Sequence, residues 1–78
     1  MNDKHSAFIR HFIEAANLKL EIAEIRLDTE FVKLAGWDSL AIVGIMIMAD
    51  LEYGTKITVG QVNSCQTIEE LYQLCAGD

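Results

Sequence analysis

The sequence predicts an all-α fold, a small irregular antiparallel four-helix bundle with three main helices and one short one. Three observations lead there. The 78 residues contain no proline and only five glycines, which suits helices joined by ordinary turns and argues against a turn-rich all-β design. Apolar residues recur at helical spacing in two long stretches. Two tetrapeptides, Thr58-Val59-Gly60-Gln61 and Thr67-Ile68-Glu69-Glu70, match the capping-box pattern that starts a helix. The length allows a single domain, residues 1–78, with an ordered core over about 6–75, and a hydrophobic fraction of 51% argues against disorder.

The first helix is expected from Ser6 to Leu18. There Phe8, Ile9, Phe12, Ile13 and Ala16 share one face, Arg10, His11 and Glu14 fall elsewhere, and Asn17 offers an end. His5 and His11 are expected in solvent. Residues Leu20 to Lys33 fit neither a helix nor a strand template, because acids and Arg26 interrupt Leu20, Ile22 and Ile25. They read as a long connection that contains a short helical turn or serves function, anchored by Phe31, Val32 and Leu34. The second helix spans Ser39 to Tyr53, with Gly54 as its stop. It carries two apolar lines: Ile42, Ile45, Met46, Ala49 and Tyr53 as a core face, and Leu40, Val43, Ile47 and Leu51 on another side. A short helix from Val59 to Ser64 turns Val62 and Cys65 inward. A last helix from Ile68 to Leu74 contributes Ile68, Leu71 and Tyr72, with Cys75 just beyond.

Bulk properties narrow the function. Twelve carboxylates against six lysines and arginines give a net charge of -6, the wrong sign for displacing counterions from phosphates, so no nucleic acid is expected as a partner. The longest apolar run, Leu40 to Ala49, is too short to cross a bilayer, so no membrane insertion is expected. The start Met1-Asn2-Asp3-Lys4 lacks the apolar stretch of a signal peptide. With only Cys65 and Cys75 as thiols, the expectation is a cytoplasmic protein with reduced cysteines and no metal site.

The residue that stands out is Ser39. Asp38 before it is suited to cap the second helix by accepting the N–H of Leu40 or Ala41. Ser39 then becomes the first helical residue, its hydroxyl on a solvent-facing rim, where an attached phosphate would lie beside free N–H groups and the positive end of the helix dipole. As a nucleophile it is poorly supplied. No histidine is placed beside it, and the Gly-x-Ser-x-Gly elbow is missing. No residue is therefore assigned a catalytic role, and something attached to Ser39 is the better reading.

Asp38-Ser39-Leu40, preceded by Leu34-Ala35-Gly36-Trp37 and followed by an apolar helix that ends at Tyr53-Gly54, resembles the attachment motif of acyl carrier proteins. Leu27-Asp28-Thr29-Glu30-Phe31 is similar to the approach to that motif, Ile57 to the anchor after the second helix, and Cys65 through Leu74 to the last-helix region. The resemblance covers about Phe8 to Leu74. It implies 4'-phosphopantetheine on Ser39, installed from coenzyme A by a phosphopantetheinyl transferase. The chain would be a non-catalytic carrier of acyl thioesters and a substrate of that transferase. Asp38 and Leu40 complete the attachment motif. Partner docking is implied for Trp37, Leu40, Val43, Ile47, Asp50 and Leu51, with Trp37 either covering the edge of the core or greeting partners. An acyl-chain pocket is expected around Met46, Ala49, Val62 and Cys65, with Met46 suited to an adaptable space.

Departures from the family pattern bear on the pathway. Ala41, Gly44 and Leu51 stand where acids are common, and Thr58 to Gln66 is uncharged. Docking is therefore expected to rest more on apolar contact than on electrostatic steering. Gly44 weakens the helix interior and either admits a partner closely or is a tolerated imperfection. The expected partners are the transferase and acyl-loading or acyl-transfer enzymes of a fatty-acid, polyketide, modified-lipid or surface-polymer pathway, acting on a monomer. An aminoacyl, peptidyl or D-alanyl carrier is one alternative, and an unmodified carrier-fold interaction module is another.

Overall fold

The computed structural model describes residues 3–77. Among the described residues four helices run in order: α1 (Asp3–Ala15), α2 (Ser39–Tyr53), α3 (Val59–Ser64) and α4 (Ile68–Cys75). Two single 3-10 turns, Ile22–Glu24 and Phe31–Lys33, punctuate the long connection between α1 and α2. No strand occurs among the described residues; a lone antiparallel bridge joins Glu30 to Thr67.

α1 lies three residues earlier at both ends than its periodicity suggests. Its end is set by Asn17, which takes a left-handed conformation at φ 56°. The N–H of Leu18 then donates back to the carbonyl of Ile13 at 3.0 Å and that of Asn17 to Glu14 at 3.2 Å. This closes the last turn as a Schellman motif, the geometry in which an asparagine can replace the usual glycine. Leu18, although buried, belongs to the connection and not to the helix.

The long connection follows its expected character but not all of its expected anchors. Phe31 is wholly buried and Leu34 packs on the core, whereas Val32 is 48% exposed and anchors nothing; Ile25, at 1%, takes its place. The segment also supplies backbone to α4. The N–H of Ile68 donates to the carbonyl of Thr29 at 3.0 Å and that of Glu69 to Leu27 at 2.9 Å. Two donors that a helix start cannot pair internally are thereby satisfied.

α2 begins at Ser39 and stops at Gly54, whose φ of 64° favours glycine. It runs antiparallel to α1, since Ala15 lies by Gly44 and His11 by Tyr53. Ile45 and Ala49 are buried, and Ile42, Met46 and Tyr53 pack on the core from its edge. Ala41 and Met48 are buried too, so Ala41 does not stand on the surface where an acid would be tolerated; it is only 2% exposed.

α3 has the expected bounds, and α4 continues one residue further, to Cys75. Both start with reciprocal capping boxes. Thr58 accepts from the N–H of Gln61 at 3.1 Å while Gln61 accepts from the N–H of Thr58 at 2.9 Å. Thr67 and Glu70 repeat the arrangement at 3.2 and 3.3 Å. The core that α1, α2 and α4 enclose includes Phe8, Ile9, Phe12, Phe31, Ile45 and Leu71.

Candidate functional site

Asp38 ends the connection in extended backbone, and its Oδ1 accepts the N–H of Ala41 at 3.0 Å. That one bond aligns the first turn of α2. Ser39 is the first helical residue and is exposed. Among the described residues no hydrogen bond engages its hydroxyl, and the N–H groups of Ser39 and Leu40 have no acceptor. A solvent-facing hydroxyl thus stands over two open donors at the positive end of a fifteen-residue helix. No imidazole is bonded to it.

Trp37, one residue before the cap, is half-buried. Its ring stacks on Phe12 with centroids 5.8 Å apart and 14° between planes, and meets Phe31 edge-on at 4.9 Å. The ring thus covers the edge of the core, one of the two roles expected for it, and part of it stays accessible. It also fixes the approach to Asp38 and Ser39.

Along α2 the outer line is open. Leu40 is 76% and Leu51 77% exposed, with Val43 and Ile47 about half exposed. Val43, Met46, Ile47, Asp50, Leu51, Lys56 and Ile57 line a shallow groove of about 300 Å³. Ser39, Val43, Met46, Ile47 and Asp50 are spaced i, i+4, i+7, i+8 and i+11, so this groove opens on the face of α2 that bears Ser39. Asp50 lies 3.7 Å from Lys56, an ion pair that sequence spacing did not reveal. Of the other residues expected around an acyl chain, Ala49 and Val62 are wholly buried and Cys65 is half-buried.

The histidines are not simply in solvent, as the sequence suggested. His11 Nδ1 lies 3.1 Å from the Tyr53 hydroxyl and its Nε2 3.8 Å from Glu52, while the His5 ring meets Tyr72 edge-on at 4.8 Å. Both serve the packing of α1 against the ends of α2 and α4, and neither is bonded to Ser39. The two thiols are subdued. Burial pushes the Cys75 thiol up to about 12, with Cys65 nearby adding to the effect, and burial also raises Cys65, helped by Glu70. Among the described residues no group of three histidine, cysteine, aspartate or glutamate side chains could hold a metal ion. None of the described helices is long and apolar enough to cross a membrane.

Residues 11–75 match the family described as phosphopantetheine attachment site. Searches of curated proteins and of solved structures return no match.

Proposed function

Because the chain belongs to the phosphopantetheine attachment-site family, whose members carry covalently attached 4'-phosphopantetheine, we propose that the hydroxyl of Ser39 is its attachment point and that the protein is an acyl carrier. The observation that carries this reading is the state of Ser39: exposed, unbonded, and first in a capped helix. Those features fit the group. A phosphodiester on Ser39 displaces no existing hydrogen bond, meets the open N–H groups of Ser39 and Leu40, and gains from the helix dipole. When bound, the group supplies a terminal thiol that holds acyl chains as thioesters.

The remaining residues divide the work. Asp38 orders the first turn and, with Leu40, presents Ser39 to a phosphopantetheinyl transferase. Trp37 holds the approach in place. Val43, Met46, Ile47 and Ile57 offer an apolar groove on the same helix face, at whose edge Met46 adapts to the length of a chain. The apolar part of this lining suits an acyl chain, while Asp50 and Lys56 at its rim leave an aminoacyl cargo as the alternative. Acyl-loading and acyl-transfer enzymes of a fatty-acid, polyketide, modified-lipid or surface-polymer pathway are the partners this implies.

Intact-mass analysis after incubation with coenzyme A, Mg2+ and a broad-specificity phosphopantetheinyl transferase tests the reading. One phosphopantetheine increment is expected on the native chain and none on Ser39→Ala. An increment that survives Ser39→Ala removes Ser39 from this role. No increment with several competent transferases favours an unmodified interaction module.

A further inference from the structure

Among the described residues Asn17, Gly36 and Gly54 hold a left-handed backbone. Asn17 follows α1 and Gly54 follows α2, so each stops a helix. Gly36 has no helix to stop. The N–H of Trp37 donates to the carbonyl of Leu34 at 3.2 Å, and Gly36, third residue of that four-residue turn, has φ 89° while Ala35 keeps a negative φ. This is the pattern of a type II turn, which requires a positive φ at that position. Space alone would admit a side chain. A Cβ on Gly36 would come 3.4 Å from Cδ2 of buried Leu18 and meet nothing closer, so what glycine supplies is the direction of the backbone.

That direction reaches Ser39 through two residues. Trp37 leaves the turn with its ring on Phe12 and Phe31, and Asp38 runs extended into its cap bond with Ala41. The Ser39 hydroxyl makes no hydrogen bond among the described residues. No side chain holds this oxygen, so its place in a foreign active site is set by the backbone that the turn delivers. An L-residue at position 36 escapes strain by rotating φ back to negative values, which swings Trp37, Asp38 and the start of α2 against the rest of the bundle. Transfer from a docked enzyme is sensitive to such a swing, because a misplacement of about 1 Å can cost about 10²-fold in rate.

We propose, resting on Ser39 as the attachment residue, that Gly36 is a positioning residue for phosphopantetheine transfer: its left-handed conformation fixes where the Ser39 hydroxyl stands in the docked chain. In that step Ser39 Oγ bonds to the phosphorus that bears the pantetheine of coenzyme A. The pyrophosphate P–O bond breaks, the adenosine bisphosphate leaves with its electron pair, and the hydroxyl proton passes to the transferase or to solvent. The test follows the first turnover of a broad-specificity transferase preloaded with coenzyme A and Mg2+, over a range of chain concentrations. Because the chain is the substrate, an unfolded fraction raises the half-saturating concentration and leaves the saturating rate alone, whereas misplacement lowers the saturating rate. Gly36→Ala is expected to lower the saturating rate at least about tenfold. Gly36→Asn puts a larger side chain at the same place but tolerates a left-handed backbone, as Asn17 does, and should stay within about threefold of the native rate. Gly54→Ala imposes the same kind of strain at the other end of α2, where a Cβ meets nothing within 4 Å, and should keep the native saturating rate. A native saturating rate in Gly36→Ala, a Gly36→Asn chain no faster than Gly36→Ala, or an equal loss in Gly54→Ala would each overturn the inference while leaving the attachment to Ser39 intact. A native chain that accepts no phosphopantetheine removes both.

Discussion

The backbone carbonyl of Ala15 lies so close to Gly44 that a β-carbon added there would overlap it, at the point where α1 crosses α2. Two effects of Gly44→Ala then oppose each other. Alanine gains about 1 kcal/mol of helix propensity. The overlap, however, is with backbone and not with the flexible end of a side chain, so the helices must separate and the contacts around Ile45 and Phe12 must loosen. Overpacking of this kind costs about 1–3 kcal/mol. A net loss of stability is expected in urea denaturation, and a Gly44→Ala protein more stable than the native one would show that the crossing is loose.

Asp38 accepts the N–H of Ala41 at 3.0 Å, which makes it a cap whatever else it does. Asp38→Ala should lose about 1 kcal/mol, and Asp38→Asn, which keeps an acceptor oxygen, only a few tenths. The pair also separates capping from presentation. If Asn restores stability but not the transferase rate, the carboxylate has a role beyond the helix start. If it restores both, the cap alone accounts for Asp38.

The features legible in the sequence were those written in local chemistry. Asp38, Gly54 and the two capping boxes fix the start or end of α2, α3 and α4 through bonds that span three residues or so, and all can be read from a few letters. The end of α1 was harder. Asn17 signals a stop, yet Leu18 continues the apolar rhythm, and only the left-handed turn shows that its burial occurs outside the helix. In the connection, Ile25 and Val32 are interchangeable by composition; which one is buried depends on where α4 anchors the backbone of Leu27 and Thr29. α2 is apolar on nearly every side, so periodicity marks the exposed line of Leu40, Val43, Ile47 and Leu51 but fails to find Ala41 and Met48 among the buried residues. Gly44 reads in the sequence as room for a partner or a tolerated imperfection; that the close approach is made by α1 itself needs the knowledge that Ala15 sits opposite.

Stability should fall on the alkaline side, in part through Cys75. Its thiol ionises near 9.0 when unconstrained but only at about 12 in the folded chain, chiefly because burial disfavours the thiolate. Above pH 9 the unfolded chain has lost this proton while the folded chain keeps it. The folded state binds more protons, so stability present below pH 9 is lost progressively as pH rises toward 12. The slope from one such group is at most about 1.4 kcal/mol per pH unit. Cys75→Ala lowers stability at neutral pH by opening a cavity, but its profile between pH 8.5 and 10.5 should be flatter than that of the native chain. Equal slopes would mean that Cys75 ionises freely in the folded state.

Trp37 connects the core to the attachment segment. Its ring contacts Phe12 and Phe31, residues from α1 and from the connection, while its own backbone directly precedes Asp38. Removing the indole should therefore have two consequences. Trp37→Ala deletes a half-buried aromatic and should cost about 2–4 kcal/mol, toward the lower end for large-to-small replacements because part of the ring is already exposed. It also frees the segment before Ser39, so the N-terminal turn of α2 should exchange its amide hydrogens faster than the rest of that helix. Trp37→Phe keeps a stacking partner for Phe12 and should recover most of both effects. Hydrogen exchange that is unchanged at Ala41 and Ile42 in Trp37→Ala, together with a loss of less than about 1 kcal/mol, would show that the indole does not tie the attachment segment to the core.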